Sequence, residues 1–121
     1  MNVVDSSGWI EYFSDTSQAV FFAHAIEDTA SLIVPTICLY EVVKIIRQRR
    51  GTRFADEAAA AMTTGKLVDL TEELALLAST YQLPLADSVI YATAQKYSAT
   101  VWTQDEHFKG LPKVRFVAKR K

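Results

Sequence analysis

The sequence predicts an α/β fold, a three-layer α/β/α sandwich around a mostly parallel central sheet. Two observations carry that expectation. Short apolar segments alternate with longer stretches of helical spacing throughout the 121 residues, and no hairpin signal of the Asn-Gly kind joins two strands directly. Strands connected through helices require right-handed crossovers, which make the sheet parallel and cover both its faces. A site in such a fold lies outside the carboxyl ends of the strands, near the point where strand order reverses.

The elements follow in order. Val3 and Val4 begin a short strand, and Ser6 to Phe13 has helical spacing that lets Trp9, Tyr12 and Phe13 share a face. Gln18 to Asp28 reads as a helix with Val20, Phe21, Ala25 and His24 on its apolar side, followed by a strand over Ser31 to Val34. Pro35 and Thr36 open a helix that runs to Arg50 and ends at Gly51. An alanine-rich helix spans Phe54 to Met62, and Gly65 to Leu70 forms a strand with apolar residues Leu67, Val68 and Leu70. Thr71 lacks the acid three residues on that would complete a capping box, yet Glu72 and Glu73 in the first turn support a helix carrying Leu74, Leu77 and Ala78 inward. Pro84 breaks the chain before a helix over Ala86 to Tyr97. Thr100 to Thr103 and Val114 to Val117 are the last strands, separated by a turn or short helix around Glu106 to Lys109.

Length and composition narrow the function classes. A chain of 121 residues, half of them apolar, is expected to form a single domain, 1–121, with a sizeable core and no need of disulfides. No apolar run is long enough to span a membrane and the N-terminus lacks signal-peptide character, so the expected compartment is the cytoplasm. The single cysteine, Cys38, lies in an apolar run and reads as a buried, inert thiol. With only His24 and His107 as further soft ligands, a structural zinc site is not expected. Net charge is −1, but Lys44, Arg47, Arg49, Arg50 and Arg53 form a basic run and the C-terminus forms another. Such a run is either a solvated helix face or a phosphate-binding patch.

Four acids invite a closer reading. Asp5 directly follows the first strand, and as an isolated residue it is well explained as a helix N-cap. Glu41 stands on an apolar row, with Ile37 and Ile45 one turn away on either side, so its charge needs a cation, a partner or a wet cleft. Pairing with Lys44 or a nearby arginine would satisfy it. Asp87 opens a helix and Asp105 follows the fourth strand, and capping explains each alone. Taken together they point elsewhere. If the first and fourth strands are neighbours, Asp5 and Asp105 leave the same sheet edge, with Asp87 and Glu41 reaching the same crevice. Carboxylates gathered without histidine or cysteine repel one another unless a hard cation sits between them, and oxygen-only ligation suits Mg²⁺ or Mn²⁺. Their chemistry would be metal-assisted attack of water on a phosphodiester.

The stretches VVDSSGWIEYF, TICLYEVVKII and LPLADSVIYATAQKYSATVWTQDEHF, with the C-terminal strand, resemble the PIN-domain ribonucleases, and within them the VapC-type toxins of toxin–antitoxin pairs. The resemblance covers essentially the whole chain in the family's order. It implies that Asp5, Glu41, Asp87 and Asp105 form an acidic quartet holding Mg²⁺ or Mn²⁺, with the hydroxyls of Ser6 and Thr103 beside the metal. It also implies endonucleolytic cleavage of RNA, a homodimeric toxin and a small antitoxin that covers the site. Lys44, Arg47 and Arg50 would then track the RNA backbone. Ser6 would support the Asp5 carboxylate. One departure is visible: His107 stands where family members often carry another acid, and it is left out of the ligand set.

Two alternatives compete with an RNase. A phosphoacceptor receiver domain needs a strand ending in an acid near mid-chain, whereas Arg47 to Asp56 is charged and helical. A catalytically inactive binding module would use Trp9, Tyr12, Phe13, Phe21 and Phe22 as a groove for a partner helix, although aromatics at this spacing also suit a core.

Overall fold

A computed structural model of the chain describes residues 1–120. Its centre is a five-stranded sheet in the order β3-β2-β1-β4-β5, formed by β1 (Asn2–Val4), β2 (Leu32–Pro35), β3 (Lys66–Val68), β4 (Thr100–Thr103) and β5 (Val114–Phe116). Every neighbouring pair is parallel, so the mostly parallel sheet predicted from sequence is parallel throughout. Strand order reverses between β1 and β4, where Val4 pairs with Trp102. That register sets Asp5 and Thr103 side by side at the carboxyl edge.

Six α-helices flank the sheet: α1 (Ser6–Phe13), α2 (Ala19–Ile26), α3 (Thr36–Arg50), α4 (Thr52–Met62), α5 (Glu72–Ala78) and α6 (Leu85–Lys96). Right-handed crossovers put α1–α4 on one face and α5 and α6 on the other. The packing agrees: α1 lies against α2 and α3, α3 against α4, and α5 against α6. Helices α3 and α6 also meet one another, which brings the two outer layers together beside the sheet edge. The core between the layers includes Val3, Val4, Trp9, Phe22, Ile33, Val34, Met62, Leu74, Ile90 and Phe108, and Cys38 is fully buried as expected.

The structure shifts several expected boundaries and faces. In α2 the buried residues are Ala19, Phe22, Ala25 and Ile26, while Val20 is 71% exposed and His24 is exposed. An eight-residue helix that is apolar almost all round carries too little periodicity to fix its rotation; a close contact with Gly8 decides it. A Cβ at Gly8 would lie 2.6 Å from the Phe22 ring and 2.7 Å from Val4 Cγ1. In the third strand only Val68 turns inward, and Leu67 and Leu70 are exposed because β3 is the sheet edge. The helices α3 and α4 share a single junction residue, Gly51, whose φ of +88° is a left-handed conformation that favours glycine. Thr71 caps α5 without a capping box, its hydroxyl accepting the Leu74 N–H at 3.2 Å.

Candidate active site

Asp5 leaves β1 and becomes the N-cap of α1. Its carboxylate accepts the Gly8 N–H at 2.9 Å, the Ser7 hydroxyl at 3.0 Å and, on Oδ2, the Thr103 hydroxyl at 2.6 Å. Capping and site membership therefore coincide in one residue. Asp5 is only 2% exposed, and burial pushes its carboxyl up to about 6 against the pull of those three donors, with Asp105 adding repulsion. Thr103 closes β4 and links two acids, because its hydroxyl oxygen also accepts the Asp105 N–H at 2.8 Å.

Glu41 lies in the second turn of α3 and accepts the Ser6 hydroxyl on Oε1 at 2.6 Å. The pairing with Lys44 or an arginine that would have satisfied Glu41 is absent among the described residues; Lys44 Nζ donates to the Tyr40 hydroxyl at 3.1 Å instead. The expectation that Ser6 supports Asp5 is likewise corrected, since Ser7 and Thr103 hold Asp5 and Ser6 holds Glu41.

Asp87 sits in the first turn of α6, but no side chain caps that helix; Asp87 Oδ2 instead meets His107 Nδ1 at 2.9 Å. Burial, followed by repulsion from Asp105, raises the Asp87 carboxyl above its usual range. Asp105 caps the 3₁₀ turn Glu106–Phe108 by accepting the His107 N–H at 2.9 Å, and its Oδ1 also lies 2.9 Å from His107 Nδ1.

A cavity of about 230 Å³ opens between these elements, lined by Asp5, Ser6, Ser7, Ile10, Glu41, Ile45, Asp87 and Asp105. All four acids singled out from the sequence therefore reach one cleft at the carboxyl edge. The basic candidates do not line it. Lys44 and Arg47 border a separate groove with Tyr40 and Val43, and Arg47 lies 3.8 Å from Asp56. Arg50 borders a third hollow with Phe13 and Phe54, its guanidinium stacked over the Phe54 ring. Of the aromatics considered as a groove, Trp9 and Phe22 are fully buried, whereas Phe13 reaches that hollow.

Sequence reasoning missed three contributors. Ser7 was masked by Ser6 beside it. His107, left out of the ligand set, stands between Asp87 and Asp105; its spacing two residues after Asp105 in a tight turn was the available signal. Gln104, between Thr103 and Asp105, is buried and donates to Glu11 at 3.0 Å. Burial alone would raise the Glu11 carboxyl, but Thr16, Gln104 and Arg120 together hold it below its usual range. Only Thr16 lies near Glu11 in the chain; Gln104 and Arg120 are 93 and 109 residues away, so this part of the brace has no sequence-local signature.

A divalent cation fits this donor set. Asp87, Asp105 and His107 each offer a ligand atom within 4.8 Å of the others, and Asp5 and Glu41 face the same cavity. Among the described residues no lysine or arginine pairs with any of the four acids.

The chain belongs to the PIN domain family, a family of nucleases, whose model matches residues 3–114. Among solved structures it is similar to a toxin–antitoxin complex from Klebsiella pneumoniae, with a TM-score of 0.80 and 21% identity over 95% of this chain and 96% of that chain. It is similar also to VapC20 of Mycobacterium tuberculosis, a sarcin–ricin loop cleaving toxin, with a TM-score of 0.77 and 17% identity, covering 94% and 97% of the two chains. A third neighbour is VapBC2 of Rickettsia felis bound to a promoter DNA fragment, with a TM-score of 0.72 and 10% identity, covering 97% of each chain. At these identities the likeness speaks for the fold. No curated protein matches the sequence. Family membership removes the receiver-domain alternative, and Arg47 to Asp56 is helical apart from the Gly51 junction.

Proposed function

We propose that the chain is a single-domain, Mg²⁺- or Mn²⁺-dependent endoribonuclease of the VapC type, the toxin of a toxin–antitoxin pair. One observation carries this reading: in a PIN-family chain, Asp5, Glu41, Asp87 and Asp105 converge from four separate elements on one cleft at the strand-order reversal. The neighbours that are toxins or toxin–antitoxin complexes support a cognate antitoxin, and a homodimer acting in the cytoplasm completes the proposal. No helix among the described residues is long and apolar enough to cross a membrane.

In this mechanism Asp5, Asp87 and Asp105 would hold the cation directly or through water, and Glu41 would complete the set or orient the attacking water. A bound divalent cation supplies a Lewis acid and a water of lowered pKa. Thr103, Ser7 and the Gly8 N–H lock the Asp5 carboxylate in one orientation, so that no reorganisation is needed when substrate arrives. The Ser6 hydroxyl fixes Glu41 through Oε1 and leaves Oε2 without a protein partner among the described residues, available to a water. Lys44, Arg47 and Arg50 lie outside the cleft on exposed turns of α3 and serve phosphates flanking the scissile one.

Mapping RNA ends in cells after brief expression of wild type and of Asp5→Asn tests the reading. New ends at defined positions with wild type and none with the variant are expected. Identical end profiles, from variants shown to be folded, favour instead a catalytically inactive PIN-like binding module, for which the Phe13–Phe54 hollow is the candidate contact.

A further inference from the structure

Resting on this reading of the cleft, we propose that His107 is itself a ligand of the bound cation through Nδ1. The centre is then a mixed nitrogen–oxygen site that favours a first-row transition ion, Mn²⁺ in the first instance, over Mg²⁺. The position of the ring carries the proposal. Nδ1 lies 2.9 Å from Asp87 Oδ2 and 2.9 Å from Asp105 Oδ1. Around an octahedral ion with bonds of about 2.1 Å, adjacent donors stand about 3 Å apart. The imidazole nitrogen already has that spacing from both carboxylates, and all three donor atoms lie within 4.8 Å of one another, so one ion can take all three.

The placement is also anchored. The His107 backbone N–H donates to Asp105 Oδ1, and the next residue, Phe108, is fully buried, so the root of the ring is fixed on both sides. The ring itself is exposed at its outer edge, which leaves Nε2 free to carry the ring hydrogen when the Nδ1 lone pair binds an ion. Mg²⁺ is hard, prefers oxygen and keeps several waters, so an imidazole in its shell contributes little. Imidazole bonding to the first-row divalent ions starts with Mn²⁺ and strengthens along the series, so Mn²⁺ gains least among them from the ring yet more than Mg²⁺ does. A carboxylate at position 107 would offer no such discrimination. The competing outcome is that the ring only hydrogen-bonds to the two acids and is displaced when the ion enters.

Pulsed electron paramagnetic resonance on the full chain loaded with Mn²⁺ separates the two without reference to activity. Wild type is expected to show the ¹⁴N modulation of directly bound imidazole. In His107→Asp that modulation disappears while Mn²⁺ remains bound. Competition titrations are expected to show the preference for Mn²⁺ over Mg²⁺ falling at least about tenfold in that variant. Saturable Mn²⁺ binding without nitrogen coupling, or an unchanged preference in His107→Asp, overturns the proposal and leaves the nuclease reading standing. Absence of saturable binding, or binding unaffected by Asp87→Asn with Asp105→Asn, overturns both.

Discussion

Asp5 concentrates the tension of this protein in one carboxyl group. It is buried, it accepts three hydrogen bonds, and its pKa is still pushed up to about 6 from an ordinary 3.8. A folded pKa above the unfolded one means that the native state holds more protons between those values. The contribution of Asp5 to stability without metal is therefore most favourable below about pH 4, falls as pH rises through the window, and carries the full cost above about pH 6. Two pKa units correspond to a cost on the order of 3 kcal/mol. Asp5→Asn removes the charge and retains an oxygen for the Gly8 N–H. In EDTA at pH 7.5 it is predicted to unfold at a higher denaturant concentration than wild type, by about 1–3 kcal/mol, with the gap closing as pH is lowered toward 5. Equal midpoints at pH 7.5 would contradict the burial argument. Thr103→Val deletes the hydroxyl joining Asp5 to the Asp105 backbone, and a loss of about tenfold or more in cleavage rate is expected in a steady-state assay.

At the scale of elements, what positions the site is how closely helix α1 sits on β1. Gly8 permits it, since any Cβ there would collide with the buried Phe22 ring and Val4. Gly8→Ala is predicted to cost about 1–3 kcal/mol in chemical denaturation and to lower activity by shifting the turn that carries Asp5 to Ser7. Thr71→Ala, by contrast, removes a cap far from the cleft and is expected to cost about 1 kcal/mol with cleavage unchanged. These elements also show what was legible beforehand. The strand–helix alternation and the four acids stood in the chain order itself, because Asp5 and Asp105 follow strands and so emerge at the carboxyl edge, while Glu41 and Asp87 lie in the early turns of their helices. The rotation of α2 was not legible, as its eight residues are nearly all apolar and only the contact at Gly8 selects Phe22 over Phe21. The partners of the acids were no easier to read: Ser6 and Ser7 are adjacent on α1, and only the three-dimensional course of α3 sends one to Glu41 and leaves the other to Asp5.

For the whole molecule, a net charge of −1 conceals an uneven distribution: a carboxylate cleft, and exposed cations on α3, of which Lys44 and Arg47 border one groove and Arg50 another hollow. Under the proposed function, RNA is held by these cations and cut at the cleft. Binding of RNA to the cleavage-inactive Asp5→Asn protein is accordingly predicted to weaken with salt, and removing Lys44, Arg47 or Arg50 to reduce the slope by about 0.7 per cation that meets a single-stranded phosphate. Unchanged slopes would place the RNA path elsewhere on the surface. Family and fold are established by the match over residues 3–114 and by the parallel sheet in the order β3-β2-β1-β4-β5. The proposed activity rests on the acids at the reversal between β1 and β4, and one assay addresses it. Purified chain is incubated with end-labelled RNA and Mn²⁺ or Mg²⁺, with and without EDTA, beside Asp5→Asn shown to be folded by circular dichroism. Cleavage by wild type that EDTA stops, that added Mn²⁺ restores and that the variant lacks by about a hundredfold or more is the predicted result. Cleavage that survives chelation, or persists undiminished in Asp5→Asn, would contradict the account.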